Sequence, residues 1–139
     1  MAGDYLELRA QAMRILQEEA SLEEIVRLVG VEALSPMDRI ILFTAKSLRE
    51  DFLHQHAFDP QDQYTTMKKQ YGMLKAIIHF HNLAVEALER ETDIEKITRL
   101  PVRGKIARMK FIPEDKLEVL EGIISEMEQE YKSLQREEK

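Results

Sequence analysis

Four histidines stand as two His-x-His pairs, His54/His56 and His79/His81, and with no cysteine in the chain they are the first place to look for a metal site. Positions two apart on a helix point about 200° away from each other. His79 and His81 therefore cannot grip one ion. His81 falls on an apolar stripe and reads as a hydrogen-bonded core histidine. His54 and His56 lie at a predicted helix end and keep a ligand role open. A di-iron bundle would need Glu-x-x-His on two helices, and that spacing does not occur. Nucleotide chemistry would need clustered glycines followed by Lys and a hydroxyl residue, so that backbone N–H groups surround a phosphate. Gly104-Lys105 is the one Gly-Lys pair, and it has neither the upstream glycine nor the following hydroxyl. Gly-x-Ser-x-Gly is missing as well. The residues thus predict no catalytic group and no metal in this chain. Phe58 and Tyr64 flank Asp59-Pro60, where loop aromatics either stack on a base or cap a core.

The elements that must position these residues are helical. Only 5 Gly and 4 Pro occur among 139 residues, 44% of the chain is hydrophobic and 33% charged, a balance that predicts one all-α domain, a single bundle of about five to six helices. A first helix is expected over Asp4–Ala20, with Tyr5, Leu8, Ala12, Ile15 and Leu16 on one face. Ser21 with Glu24 reads as a capping box opening a short helix, Leu22–Val29, which Gly30 closes by taking the left-handed conformation. Ser35-Pro36-Met37-Asp38 is a helix start: Ser as N-cap, Pro where its missing N–H costs nothing, a carboxylate in the first turn. The helix that follows carries Met37, Ile40, Ile41, Thr44, Ala45, Leu48 and Phe52 on its core face and is expected to run about twenty residues, roughly 30 Å, to a break at 55–60. It is a rod with a functional-looking loop at each end.

The next helix, expected over Thr66–Glu91, carries Met67, Tyr71, Leu74, Ile78, His81, Val85 and Leu88 and should be central. Thr92 with Glu95 reads as another capping box, Leu100-Pro101 as an interruption, and Lys105–Lys110 as a short helical piece. After Pro113 a last helix carries Leu117, Leu120, Ile124, Met127, Tyr131 and Leu134, alternating by three and four. The polar tail from Gln135 is expected to fray.

A net charge of −6 argues against a nucleic-acid binder. The charge is segregated, however. Residues 96–110 hold six basic side chains (Lys96, Arg99, Arg103, Lys105, Arg108, Lys110) and no acid, whereas 114–139 hold nine acids against four bases. Pairing between the two segments is the plain expectation. No apolar run is long enough to span a bilayer and the amino terminus has no signal-peptide core, so no direct membrane insertion is expected.

Two stretches carry a resemblance. Leu100-Pro101-Val102-Arg103-Gly104-Lys105-Ile106-Ala107-Arg108-Met109-Lys110 resembles the LPVRxKIARMK segment of the catalytic A subunit (alpha chain) of archaeal and vacuolar-type rotary ATP synthases, in its C-terminal helical domain. Arg49-Glu50-Asp51-Phe52-Leu53-His54-Gln55-His56-Ala57-Phe58 is similar to the family's REDFLQQNAF. Leu16-Gln17-Glu18-Glu19 and Ile25-Val26-Arg27-Leu28-Val29-Gly30 extend the likeness over nearly the whole chain.

The resemblance implies that residues 1–139 are the C-terminal domain of a larger catalytic subunit whose nucleotide-binding core lies upstream. On that footing this piece is not itself an enzyme, whereas the parent is an ion-translocating ATP synthase or ATPase, carrying protons or sodium and working on Mg-ATP/ADP. It implies neighbours too: the non-catalytic B subunits of a hexamer and the central-stalk subunits, in a cytoplasmic head peripheral to the membrane. Glu32-Ala33-Leu34-Ser35-Pro36-Met37-Asp38 looks like the DELSEED loop with which related catalytic subunits push on the stalk, and so assigns Glu32, Leu34, Ser35, Pro36, Met37 and Asp38 to stalk contact. Pro36 and Met37 replace two acids of that loop, which favours shape over charge. Phe58 and Tyr64 match two aromatics of the family's adenine pocket. Two other readings treat these segments as coincidence: a stand-alone helical adaptor binding acidic partners or nucleic acid through 96–110, and a small metalloenzyme using His54 and His56.

Overall fold

Tyr5, Leu8, Ala12, Ile15, Glu19, Leu22 and Val26 follow one another by alternating steps of three and four, the spacing that keeps one helical face turned toward a partner. In the computed structural model, which describes residues 2–53 and 67–137, that seam is a single helix, α1, Ala2–Val29. The expected break at Ser21 does not occur, and Ser21 and Glu24 make no capping box: Ser21 is exposed in mid-helix and Glu24 pairs with Arg27 at 2.8 Å. The energetics account for the difference. A cap contributes about 1 kcal/mol and a mid-helix Ser costs roughly half of that. Burying a Leu contributes about 1.5–3 kcal/mol, and only a continuous helix keeps Leu22 in the seam.

Gly30 ends α1, its N–H donating to the Val26 carbonyl at 2.8 Å. Its backbone, at φ 92° and ψ 161°, is not in the left-handed helical region anticipated but in the extended positive-φ region that essentially only glycine occupies. A 3-10 turn, Val31–Ala33, leads to α2, Pro36–Ser47. The start signal works as read: Ser35 Oγ accepts from the Asp38 N–H at 3.1 Å, with Pro36 in the first turn. The rod is not α-helical to its end. After Ser47 it widens into a π-helical turn, Leu48–Leu53, and the expected break at 55–60 lies outside the described residues.

Helix α3, Met67–Glu89, is the central element, with Met73, Leu74, Ala76, Ile77, Ile78, Phe80, His81, Ala84 and Ala87 all buried. It packs against α1, α2 and a C-terminal helix, α6, Glu118–Glu137. Gly72 lies where α3 meets α6: a Cβ there would stand 2.7 Å from Leu120 Cδ1, so the end of that side chain would have to turn aside. Between them lie two short helices, α4 (Ile94–Thr98) and α5 (Val102–Arg108). Helix α3 closes with Thr92 N–H to Ala87 O at 3.0 Å and Glu91 N–H to Leu88 O at 2.9 Å, Glu91 taking φ 68°, the bond pattern of a Schellman cap. That occupies Thr92 in ending one helix, so Asp93, not Thr92, caps the next, accepting from the Glu95 N–H at 2.9 Å. Leu100-Pro101 separates α4 from α5 as expected, and α5 begins at Val102 rather than Lys105. Helix α6 buries Leu120, Ile123, Met127, Tyr131 and Leu134 and continues through the polar tail to Glu137. The described residues thus form an all-α bundle of six α-helices. Phe80 stands at its middle, edge-on to Tyr131 at 5.4 Å, whose hydroxyl donates to the Phe80 carbonyl at 3.3 Å.

Candidate functional site

The rod formed by α2 and its π turn has a different chemistry at each end. At the amino-terminal end, Leu34 is only 6% exposed and pins the loop to the bundle. Leu34, expected among the stalk contacts, is thus buried within the chain. Of the other loop residues, Glu32, Ser35 and Pro36 are exposed, and Met37 and Asp38 half-buried. The loop is held at three points: Gly30, the buried Leu34 and the Ser35 cap.

Beside it lies a feature that the sequence reading passed over. Ile25, Leu28 and Val29 are three and four apart and share one face of α1, and with Val31 they are exposed, Leu28 to 74% and Val29 to 65%. Ile25 and Leu28 fall off the seam through Leu22 and Val26, and that mismatch was the signal available; Val29 is the seam's next step and is left uncovered at the end of the helix. An apolar tip therefore surrounds the loop.

At the other end the two family-like segments meet. Asp51, in the π turn, is 6% exposed. Ser47 Oγ donates to its Oδ2 at 2.8 Å, and Lys110 Nζ stands 4.0 Å from its Oδ1 while donating to the Glu50 carbonyl at 3.3 Å. Lys69 Nζ in turn donates to the Lys110 carbonyl at 2.9 Å. The Arg103 guanidinium lies 4.2 Å over the Phe43 ring, a cation–π placement, within electrostatic reach of Asp51 and Glu50. Burial pushes the Asp51 carboxyl up, opposed by the Ser47 hydrogen bond and by Lys110 and Arg103, and burial likewise lowers Arg103. Arg49 leaves this cluster to make a two-pronged bond with Glu19 of α1, at 2.5 and 3.3 Å. A carboxylate in the stripe between Leu48 and Phe52 was the sequence signal for this joint.

The segregated charge resolves accordingly. Only part of the basic segment pairs with the last helix: Lys105 Nζ donates to Glu126, and Glu130 accepts from the Val102 N–H at 3.0 Å at the start of α5. Arg103 and Lys110 turn to the π turn instead. With Arg99 standing 4.0 Å from Glu95, at least four of the six basic side chains are engaged among the described residues, which does not favour a polyanion-binding adaptor.

His81 is the core histidine anticipated. It is 7% exposed, its Nδ1 shares a hydrogen bond with Thr44 Oγ1 at 2.6 Å, and burial lowers its pKa to about 4. His79 points elsewhere, to Glu128 at 2.9 Å. Among the described residues no group of three His, Asp or Glu side chains could hold a metal ion, and no helix is long and apolar enough to cross a membrane. Phe58, Tyr64, His54 and His56 lie outside the described residues.

Residues 1–98 match the family described as the C-terminal domain of V and A type ATP synthase. The V-type ATP synthase alpha chain of Thermoanaerobacter pseudethanolicus is 52% identical over 134 residues, which is 96% of this chain and 23% of that protein. That of Acetivibrio thermocellus is 56% identical over 117 residues, 84% of this chain and 20% of the relative. The Clostridium perfringens alpha chain is 48% identical over 134 residues, 96% and 23% respectively. This chain accordingly spans less than a quarter of the length of these relatives.

Proposed function

Because this chain belongs to the C-terminal domain family of V and A type ATP synthases, we propose that it passes nucleotide-driven motion of a catalytic alpha subunit to a central stalk through the tip at residues 25–38. The parent subunit on this reading carries the Mg-ATP/ADP site upstream, sits between non-catalytic B subunits in a cytoplasmic head peripheral to the membrane, and drives proton or sodium translocation. Phe58 and Tyr64 contribute walls to its adenine pocket, binding energy without bond-making chemistry. The bundle moves as a body, the hinge type of transition in which a packed unit is carried rather than deformed.

The observation that carries the reading is the tip itself, a loop fixed by Gly30, Leu34 and Ser35 and bordered by the exposed Ile25, Leu28, Val29 and Val31. A stiff support with an apolar working face suits pushing by shape, because apolar contact needs close fit and is indifferent to ionic strength. Exposed apolar side chains in such a cluster mark interaction surfaces.

The test uses the whole complex in single-molecule rotation. Replacing Leu28, Val31 and Pro36 together by Gly is expected to cut torque and ATP-to-rotation coupling while leaving the affinity for ATP intact. Glu32→Gln is expected to leave torque unchanged. Full torque in the triple variant would sink the lever reading, and a large loss from Glu32→Gln would restore an electrostatic push.

A further inference from the structure

A π turn is an uncommon widening of a helix, often found at functional sites, and here it carries a nearly buried carboxylate that a plain apolar stripe would not need. Leu48–Leu53 places Asp51 against the bundle, and three basic side chains from distant parts of the chain gather around that turn. Lys110 reaches both the Asp51 carboxylate and the Glu50 carbonyl. Lys69 holds the Lys110 carbonyl. Arg103, clamped over Phe43, faces Asp51 and Glu50 while its Nε and Nη1, both buried, have no hydrogen-bond partner among the described residues. Stability alone is a poor explanation for such a cluster, because a buried ion pair seldom outperforms well-packed apolar side chains of the same volume. Fixing one geometry is the better-attested use of such polar groups.

We propose that Arg103 is a positioning residue which, with Asp51 and Lys110, latches the π turn to α5 and so fixes the position of that turn, Leu48–Leu53. The latch joins the two segments that are most family-like, 49–53 and 100–110, and it stands immediately before the stretch bearing Phe58 and Tyr64. This inference rests on the reading above that those aromatics wall an adenine pocket. Loosening the latch then weakens nucleotide binding and leaves the chemical step alone.

The experiment measures KM and kcat for ATP hydrolysis by the complete complex carrying the full-length subunit. Arg103→Gln and Asp51→Asn are each expected to raise KM about fivefold, equivalent to about 1 kcal/mol, with kcat nearly unchanged. Because the two charges interact within one cluster, the double variant is expected to match the worse single variant rather than multiply the two effects. Arg103→Lys, which keeps the charge, is expected to recover most of the loss, whereas a merely structural role would not separate KM from kcat. An unchanged KM in both single variants, or multiplying effects in the double, overturns the latch. Should Arg103→Gln fail to assemble, Ser47→Ala removes only the hydrogen bond to Asp51 and is expected to raise KM about twofold; no rise there overturns the proposal equally. The two readings fail separately. An unchanged KM in the latch variants with KM raised in Phe58→Ala and Tyr64→Ala overturns the latch alone, and an unchanged KM in Phe58→Ala and Tyr64→Ala overturns the adenine-pocket reading.

Discussion

His81 makes the stability of this bundle depend on pH between about 4 and 6.5. Burial lowers its pKa from the ordinary 6.5 to about 4. Above pH 6.5 both folded and unfolded chains hold a neutral ring, and His81 contributes no slope. Between 6.5 and about 4 only the unfolded chain takes the proton, so stability falls as the pH falls; below about 4 both states are protonated and the loss has levelled off. The whole interval corresponds to about 3 kcal/mol, at 1.36 kcal/mol per pH unit, and about 2 kcal/mol of it is already lost at pH 5. The cause is desolvation rather than loss of the Thr44 bond, since that hydroxyl can reverse from donor to acceptor when Nδ1 gains a proton. Urea unfolding of the chain from about pH 7.5 to about pH 4.5 measures the slope. Raised carboxyls at Asp51 and Glu130 take up protons first in the folded state and oppose the trend, so the comparison is with His81→Asn, whose amide reaches the place of Nδ1 without titrating. The wild-type chain should lose about 2 kcal/mol more than the variant on going from neutral pH to pH 5. Parallel pH profiles, or an NMR titration of His81 near its ordinary value, would refute the reasoning.

Two further outcomes follow from the backbone and the core. Glu91 holds φ 68° at the end of α3, a conformation that costs a side-chain-bearing residue about 1–2 kcal/mol. After the extra entropy that Gly loses on folding, Glu91→Gly is expected to stabilise the chain by about 0.5–1 kcal/mol, read as a higher Tm. Met127, fully buried where α6 packs on α3, is expected to cost about 2–5 kcal/mol when truncated to Ala, read as a lower urea midpoint with unchanged m-value.

The helices and most of the core were legible because their cues are local. Ser35-Pro36 starts α2 through groups three residues apart, Gly30 stops α1 through its own φ, and the three–four alternation from Leu120 to Leu134 identifies the buried face of α6. His81 was legible as a core residue for the same reason. The Ser21 break failed because a capping motif competes with a seam, and the seam wins once the folded bundle is present to bury Leu22. Thr92 failed because the end of α3 claims its N–H for the Ala87 carbonyl, a choice that depends on where the preceding helix stops.

Sequence alone determined the helical class, the helix restart at Ser35-Pro36, and the residues that carry the family likeness, since propensity, periodicity and motif are written in neighbouring positions. Tertiary structure decided which side chains are covered. Leu34 is buried, and Leu28 with Val29 exposed, because exposure is set by which helices cover a face. Asp51, Arg103, Lys110 and Lys69 became one cluster only through folding, since contacts that span 41 to 60 residues leave no periodic trace in the chain.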